Sequence, residues 1–294
     1  MILYRSHLFV PGGRGDMLEK AGRHPADVLC LDLEESVLPE EKAPARALVR
    51  TAIERLAGGG RAVHVRLNSI ASGVTRDDLA AVAQEGLAGV LLAKAQSPQD
   101  VRTADVLLRE QEHARGMRAG TIELIVAIES AQALLRCADI SRASTRTVAL
   151  MLGGEDFAFD MGVQRTREGR ELEHARSVVA TCARAAGLVA LDTPWTDIAD
   201  IDGLAADAER AKGLGFGGKY LIHPSHIEPV HRVFGPNEGE VESARRILVA
   251  WDEAQEQGRG AVQFEGRMLD RPVAERARRI VEQAEAIASR VVEG

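Results

Sequence analysis

Residues 122–129 read Ile-Glu-Leu-Ile-Val-Ala-Ile-Glu, and residues 147–156 read Thr-Val-Ala-Leu-Met-Leu-Gly-Gly-Glu-Asp. Each stretch is an apolar run that stops at Ser or Gly beside a carboxylate, a pattern typical of buried parallel strands. A carboxylate at the exit of such a strand is poorly placed for core packing. Glu129 and Asp156 are therefore predicted to meet at one rim of a parallel sheet. Together they could share a small, hard divalent cation.

Apolar runs of this kind recur eight times along the chain. Most of the intervals between them carry a helical pattern, such as the apolar residues at three- and four-residue spacing in 176–186. Eight strand–helix repeats favour an α/β fold of the (β/α)8 TIM-barrel type over an open doubly wound sheet. The predicted strands are residues 7–10, 28–33, 62–67, 89–93, 122–128, 148–152, 188–191 and 219–222.

Charged and polar residues follow nearly every predicted strand. In a barrel the carboxyl ends of the strands share one face, and active sites sit there. Around an open sheet the same residues would be spread along a line, so fewer could converge. This distribution supports the closed barrel. The residues concerned are Arg14, Glu34, Glu35, Arg66, Asn68, Lys94, Glu129, Asp156, Asp192 and His223.

The strand–helix pattern ends near residue 238. Beyond it, residues 240–257 and 273–292 have amphipathic helical patterns, and they flank a Gly-containing segment, residues 258–272, with Asp270 in its turn. We predict a barrel domain at residues 1–238 and a C-terminal helical extension at residues 239–294. The extension has too little core to fold alone, and such arms often form oligomer contacts.

Composition excludes several classes of protein. A formal net charge of -7 gives no support to nucleic-acid binding, although a local basic pocket for phosphates remains compatible with it. No apolar stretch approaches the roughly 20 residues that span a bilayer, and the first residues lack a signal-peptide pattern. The three solitary cysteines, Cys30, Cys137 and Cys182, are typical of a reducing compartment. We expect a cytoplasmic protein without a membrane or nucleic-acid partner.

Seven short motifs, in this order, resemble the citrate lyase β-subunit-like branch of the HpcH/HpaI aldolase superfamily. This branch includes malyl-CoA and citramalyl-CoA lyases. Each motif is weak alone, but together they extend along nearly the whole chain. They are the motifs at residues 5–12, 32–37, 65–68, 127–130, 153–157, 217–224 and 266–270.

The resemblance implies a (β/α)8 barrel assembled into homotrimers, or into hexamers, with roles for particular residues. It implies that Glu129 and Asp156 hold Mg2+, that Arg66 pairs with the substrate carboxylate, and that Glu34 contacts metal-bound water. It implies that Asp270 is an acid/base that reaches a neighbouring subunit's site. Glu35 stands where the family usually has Asp. The residues implied to hold the CoA thioester are Phe9, Arg14, Lys20, Ile222 and His223.

The implied reaction cleaves or forms the bond between C2 and C3 of a 3-hydroxyacyl-CoA thioester, of the malyl-, citramalyl- or citryl type. Its products are an acyl-CoA and a 2-oxo acid. One alternative is a citrate lyase β subunit that cleaves a citryl group on an acyl-carrier protein. A second is a malyl-CoA thioesterase, which is a hydrolase. A third is a non-catalytic assembly subunit, which would have no need of a metal pair.

Single residues have simpler interpretations. Glu129 and Asp156 could each be an acid that favours a helix N-terminus. Lys94, at a strand end, could form a Schiff base, although an ion-paired or solvated lysine is the commoner case. His223 could be catalytic, or it could shape the pocket beside Pro224.

Overall fold

The computed structural model describes residues 2–293, and their side chains as far as residue 289. The chain divides into two compact units, residues 2–230 and the residues from His231 onward. The division falls inside a helix, Ile227–Phe234, rather than after residue 238. Each unit has its own hydrophobic cluster.

Eight parallel strands of the first unit close into a barrel in which each strand pairs with the next and β8 pairs with β1. The predicted TIM barrel is confirmed, and all eight predicted strands are present with ends shifted by at most two residues. The strands are β1 Ser6–Pro11, β2 Val28–Asp32, β3 Ala62–Leu67, β4 Leu87–Leu92, β5 Glu123–Ile128, β6 Thr147–Leu152, β7 Val189–Asp192 and β8 Gly218–Leu221.

Helices fill the intervals between the strands, as the apolar spacing predicts. Most are amphipathic and bury one face against the barrel. The helices of this part of the chain are α1 Gly15–Ala21, α2 Lys42–Gly58, α3 Thr75–Val82, α4 Pro98–Ala114, α5 Ala131–Leu135, α6 Cys137–Ile140, α7 Gly154–Asp160, α8 Glu173–Ala185, α9 Ile201–Leu214 and α10 Ile227–Phe234.

A buried ion network ties the last two barrel strands to the helices outside them. The Asp192 carboxylate accepts two hydrogen bonds from the Arg176 guanidinium at 2.9 Å, and the Lys219 ammonium lies 2.5 Å from its Oδ2. Asp207 on α9 accepts from both cations. Breaking such a buried network is strongly destabilising. We therefore assign Asp192 a structural role in this network outside the barrel, and no part in the chemistry of the rim.

The barrel interior contains an unusual aromatic and histidine column. His7 and His64 are fully buried, their ring centroids lie 5.7 Å apart, and the His7 ring stacks on Tyr220 at 4.7 Å. None of the four ring nitrogens has a hydrogen-bond partner in the described structure. Burial lowers the pKa of His64 to about 3, and burial followed by repulsion from His64 lowers the pKa of His7.

These histidines predict a loss of stability in mild acid. Below pH 6.5 the unfolded chain protonates His64, whereas the folded chain keeps it neutral until about pH 3, so stability falls as the pH drops through that window. Between pH 7 and pH 5, this residue alone lowers the free energy of unfolding by about 2 kcal/mol. We expect the free energy of unfolding, measured by urea denaturation at pH 7 and pH 5, to fall by about 2 kcal/mol less in His64→Gln than in the parent.

The matched control is His113→Gln, the same chemical change at an exposed position on α4. It should keep the acid sensitivity of the parent. Equal pH dependence in His64→Gln and the parent would show that His64 is not held neutral in the folded barrel.

The second unit contains two helices and a hairpin. The helices are α11 Glu238–Glu256 and α12 Arg271–Glu293, and the strands β9 Ala261–Phe264 and β10 Arg267–Asp270 pair antiparallel between them. The two predicted helices are confirmed. The prediction that Asp270 lies in a turn is wrong, because Asp270 ends β10. Its Oδ1 accepts a hydrogen bond from the backbone N–H of Val273 at 3.3 Å, in the first turn of α12.

Across residues 2–293, every helix is too short or too polar to cross a membrane.

Candidate functional site

Glu129 and Asp156 occupy neighbouring positions at the carboxyl rim of the barrel. Glu129 directly follows β5 and is 5% exposed, and Asp156 lies in the first turn of α7, which follows β6. Strands β5 and β6 are hydrogen-bonded neighbours. Asp156 thus satisfies both sequence interpretations, since it is a helix N-terminal acid and also a partner for Glu129.

A glycine makes room for the Glu129 carboxyl. A Cβ atom at Gly153 would lie 2.3 Å from the Cγ and 2.4 Å from the Oε1 of Glu129. No side chain fits at such a distance without moving Glu129. The Gly-Gly pair that ends the β6 run therefore sets how closely the two acids approach.

The two carboxylates repel each other in the absence of a cation. Burial, and then the nearby Asp156, raises the pKa of Glu129 to about 7. Burial, and then the nearby Glu35, raises the pKa of Asp156. A divalent cation stabilises the charged form of carboxylates that are partly buried and incompletely neutralised by their neighbours.

Arg66 is anchored by a residue that had no predicted role. Its Nε and Nη2 donate to the two carboxylate oxygens of Asp32 at 2.7 and 2.8 Å, and its guanidinium lies 4.6 Å above the Phe9 ring. Asp32 and Arg66 end adjacent strands and are paired in register. Burial, the largest single influence, would raise the pKa of Asp32, but the Arg66 charge and the hydrogen bonds to the carboxylate together outweigh burial and lower it.

This anchoring constrains how Arg66 can meet a substrate. The edge of the guanidinium formed by Nε and Nη2 is already engaged with Asp32. The remaining edge carries Nη1, which lies 3.3 Å from the Glu34 Oε2. Any further anionic group could therefore pair with Arg66 only from the Nη1 side, beside Glu34.

Lys94 joins the acids of three different loops. Its Nζ lies 2.8 Å from Glu34 Oε1, 2.7 Å from Glu35 Oε1 and 3.4 Å from Asp156 Oδ1. Its backbone N–H donates to Glu129 Oε2 at 2.7 Å. The structure thus places Lys94 in ion pairs, the commoner of its two sequence interpretations.

The residues implied to hold CoA lie on the opposite side of the barrel, around the paired strands β1 and β8. Phe9 is on β1 beneath Arg66, and Ile222 is 40% exposed at the end of β8. Arg14 precedes α1 and pairs with Asp16, and Lys20 is exposed in the last turn of α1. The exposed His223 accepts a hydrogen bond from the Ser225 N–H through Nδ1, so it caps a short 3-10 helix.

The donor set fits Mg2+. Among residues 2–289, whose side chains are described, no group of three or more His, Cys, Asp or Glu side chains is arranged around a single metal position. Mg2+ nonetheless needs only one or two protein carboxylates, because substrate oxygens and waters complete its six ligands. Glu129 and Asp156 would supply the protein oxygens. Asp270 belongs to the other compact unit.

Sequence reasoning assigned no role to Asp32 and left two alternative roles open for Lys94. A signal for Asp32 nonetheless existed. Asp32 ends β2 and Arg66 lies near the end of β3, so the two residues occupy equivalent positions on neighbouring parallel strands. No comparable signal existed for Lys94. Its three partners come from positions 34, 35 and 156, and only the closed barrel brings these together.

Comparisons with known proteins identify related sequences and structures. Residues 5–224 match the family model described as HpcH/HpaI aldolase/citrate lyase. The citrate lyase subunit beta of Leuconostoc mesenteroides subsp. cremoris is 35% identical over 284 residues, which covers 97% of this chain and 94% of that protein. The L-malyl-CoA/beta-methylmalyl-CoA lyase of Cereibacter sphaeroides is 35% identical over 305 residues, covering 97% and 96%.

A solved structure is similar over the same length. The CitE protein of Mycobacterium tuberculosis, in complex with magnesium, acetoacetate and coenzyme A, superposes with a TM-score of 0.77 at 31% identity. The match covers 96% of this chain and 98% of that one.

Proposed function

The chain belongs to the HpcH/HpaI aldolase/citrate lyase family, and from this premise we propose a Mg2+-dependent carbon–carbon lyase. Its substrate is a 3-hydroxyacyl-CoA thioester of the malyl-CoA, citramalyl-CoA or citryl type. Cleavage gives an acyl-CoA and a 2-oxo acid, and the reverse reaction condenses them. The observation that carries the proposal is the meeting of Glu129, Asp156 and the Asp32-anchored Arg66 at one barrel rim.

Glu129 and Asp156 hold the metal in this proposal. Mg2+, when bound, acts as a Lewis acid and as a template for the hydroxy- or oxo-carboxylate of the substrate. The raised pKa of both acids supports this role, because the cation relieves their mutual repulsion. Gly153 keeps the Glu129 carboxyl in place beside it.

Arg66 binds and orients the 2-oxo acid carboxylate through its Nη1 edge. Asp32 fixes the plane of the guanidinium, so little side-chain freedom is lost when substrate binds. Glu34, 3.3 Å from Nη1 and 8% exposed, borders the same space and is placed to accept a hydrogen bond from water or substrate hydroxyl.

The thioester lies toward β1 and β8 in this proposal. Phe9 offers an apolar wall, and Ile222 and His223 line the rim beside it. Arg14 and Lys20 are exposed cations on the first strand–helix connection, where they can meet CoA phosphates without a desolvation penalty.

Asp270 is the acid/base of this proposal, and it transfers a proton to or from the acyl carbon of the thioester. In cleavage it returns a proton to the acyl carbon of the thioester, and in condensation it removes one. We propose that it acts in the site of a neighbouring copy, within a homotrimer or a hexamer. The arm unit supports this, because it has a cavity of about 870 Å3 whose mixed polar and apolar lining includes Ile247, Phe264 and Met268, the last 71% exposed.

The barrel unit has a complementary feature. Leu135 on α5 and Phe159 on α7 are 89% and 87% exposed, and both helices border the metal side of the rim. Exposed apolar groups of this size mark interaction surfaces. An arm of one copy that docks on the rim of another makes a head-to-tail contact, which closes into a ring.

The decisive experiment supplies acetyl-CoA and Mg2+ with glyoxylate, pyruvate or oxaloacetate and analyses the products. A lyase condenses one pair to a hydroxyacyl-CoA and cleaves that product on dilution. A thioesterase forms no hydroxyacyl-CoA from these reactants; supplied with malyl-CoA directly, it releases free CoA and intact malate. Absence of both reactions with every oxo acid, in a protein that binds Mg2+, would contradict the proposal for free CoA substrates.

A second candidate is a citrate lyase β subunit acting on a citryl group carried by an acyl-carrier protein. The citrate lyase subunit beta of Haemophilus influenzae, 37% identical over 286 residues, favours it. Citryl-acyl-carrier protein and citryl-CoA offered in parallel distinguish the two, since the carrier-dependent subunit turns over only the first. We further propose a cytoplasmic location, which suits the free thiols of Cys30, Cys137 and Cys182.

A further inference from the structure

Lys94 is the cationic centre of the proposed metal site. Aside from the Asp32–Arg66 pair, four carboxylates gather at this part of the rim, those of Glu34, Glu35, Glu129 and Asp156. The ammonium of Lys94 contacts three of them within 3.4 Å. Burial alone would lower the pKa of Lys94, but its hydrogen bonds to Glu34 and Glu35 outweigh burial and raise it.

The backbone of Lys94 is also specialised. Its φ of 51° lies in the left-handed region, which is unfavourable for a residue that carries a side chain. In this conformation its N–H donates to the Oε2 of Glu129 at 2.7 Å. Glu129 is therefore positioned by the backbone of residue 94, whereas the ammonium acts on Glu34, Glu35 and Asp156. A side-chain substitution separates these two roles.

We propose that Lys94 is a tethered counter-ion that holds the metal-free site together and competes with Mg2+ for Asp156. This inference rests on the proposed function. The ammonium lies between Glu34 and Asp156 and balances their negative charges. The Lys94 side chain is flexible and 36% exposed. When the metal binds, the ammonium can leave Asp156 and keep its shorter contact with Glu35.

The sign of the effect distinguishes a counter-ion from an ordinary supporting residue. Removal of a residue that merely orients metal ligands weakens metal binding, by about 10–100-fold. Removal of a cation that competes with the metal strengthens binding. A single charge about 6 Å from a divalent ion changes its affinity about tenfold even at the dielectric constant of water.

The experiment compares Mg2+ binding by isothermal titration calorimetry in the parent, Lys94→Met and Lys94→Gln, at about pH 8, where free carboxyls are ionised. Both variants should bind Mg2+ about tenfold more tightly than the parent. Without metal they should melt at a lower temperature, because the acids lose their counter-ion. The rise in melting temperature on adding Mg2+ should be larger than in the parent.

Lys94→Arg is the matched control, because it keeps the positive charge at the same place. Its Mg2+ affinity should stay within about threefold of the parent. Unchanged or weaker Mg2+ binding in both neutral variants would overturn the counter-ion proposal alone. Equal tightening in Lys94→Arg would overturn it too, because charge would not be the cause. A parent that binds no Mg2+ would overturn the metal site itself, and with it the proposed function.

Discussion

Asp156→Asn should abolish Mg2+-dependent turnover and weaken Mg2+ binding by at least about 100-fold. Loss of a residue that merely hydrogen-bonds to a metal ligand already lowers metal affinity by about 10–100-fold. Asp156→Asn removes the charge of a proposed ligand itself. The fold should survive, because Asp156 is partly exposed on α7 and the amide has the same shape. Calorimetric titration with Mg2+, followed by the condensation assay, measures both effects.

Glu155→Gln is the matched control for this prediction. Glu155 immediately precedes Asp156 on α7, its side chain is 52% exposed, and it pairs with Arg165 at 3.2 Å rather than with the rim acids. Loss of the same charge there should change Mg2+ affinity by less than about threefold, because exposed charges are screened. Equal losses in the two variants would indicate a general charge effect. Retained Mg2+ binding in Asp156→Asn would remove this residue from the metal site.

Asp270→Asn should keep Mg2+ binding and lose carbon–carbon chemistry by about 10²–10⁴-fold, the usual contribution of a general acid–base group. The variant is well suited to the test, because Asn caps helices about as well as Asp. The contact of residue 270 with the Val273 N–H should therefore persist. The loss should appear in kcat for condensation, with Mg2+ affinity within about twofold of the parent.

Mixing two inactive variants tests whether Asp270 acts in a neighbouring copy. If barrels and arms of different copies combine, subunits carrying Asp156→Asn and subunits carrying Asp270→Asn form some intact sites. Random exchange in equal amounts should restore about one quarter of the parent activity. No recovery after demonstrated subunit exchange would place Asp270 in the site of its own chain. Normal turnover in Asp270→Asn alone would remove it from the mechanism.

Local sequence patterns were sufficient to predict the barrel. Strands such as β5 and β6 are largely apolar runs of six residues that are buried on both faces, and such runs are visible without any tertiary information. The hairpin β9–β10 was not predicted, because its strands have four residues each and are largely exposed. Short, solvated strands leave no hydrophobic period to detect.

The site was predictable only in part, for a related reason. Glu129 and Asp156 stand out because a carboxylate after a buried strand contradicts core packing. The Asp32–Arg66 fork depends on register between β2 and β3, which no single strand reveals. The ring nitrogens of His7 and His64 lack hydrogen-bond partners among the described residues, and this too is visible only inside the closed barrel. In an isolated strand sequence the two histidines look like ordinary polar positions.

The sequence by itself determined the eight-stranded alternation, the ends at which charged groups gather, and the family. These follow from hydrophobic period and local motif, which are properties of short segments. Only the tertiary structure decided which charges meet, above all that Lys94 sits among acids drawn from positions 34, 35 and 156. Barrel closure brings strand ends together across more than a hundred residues, and electrostatic energy depends on those distances in space rather than on separation along the chain.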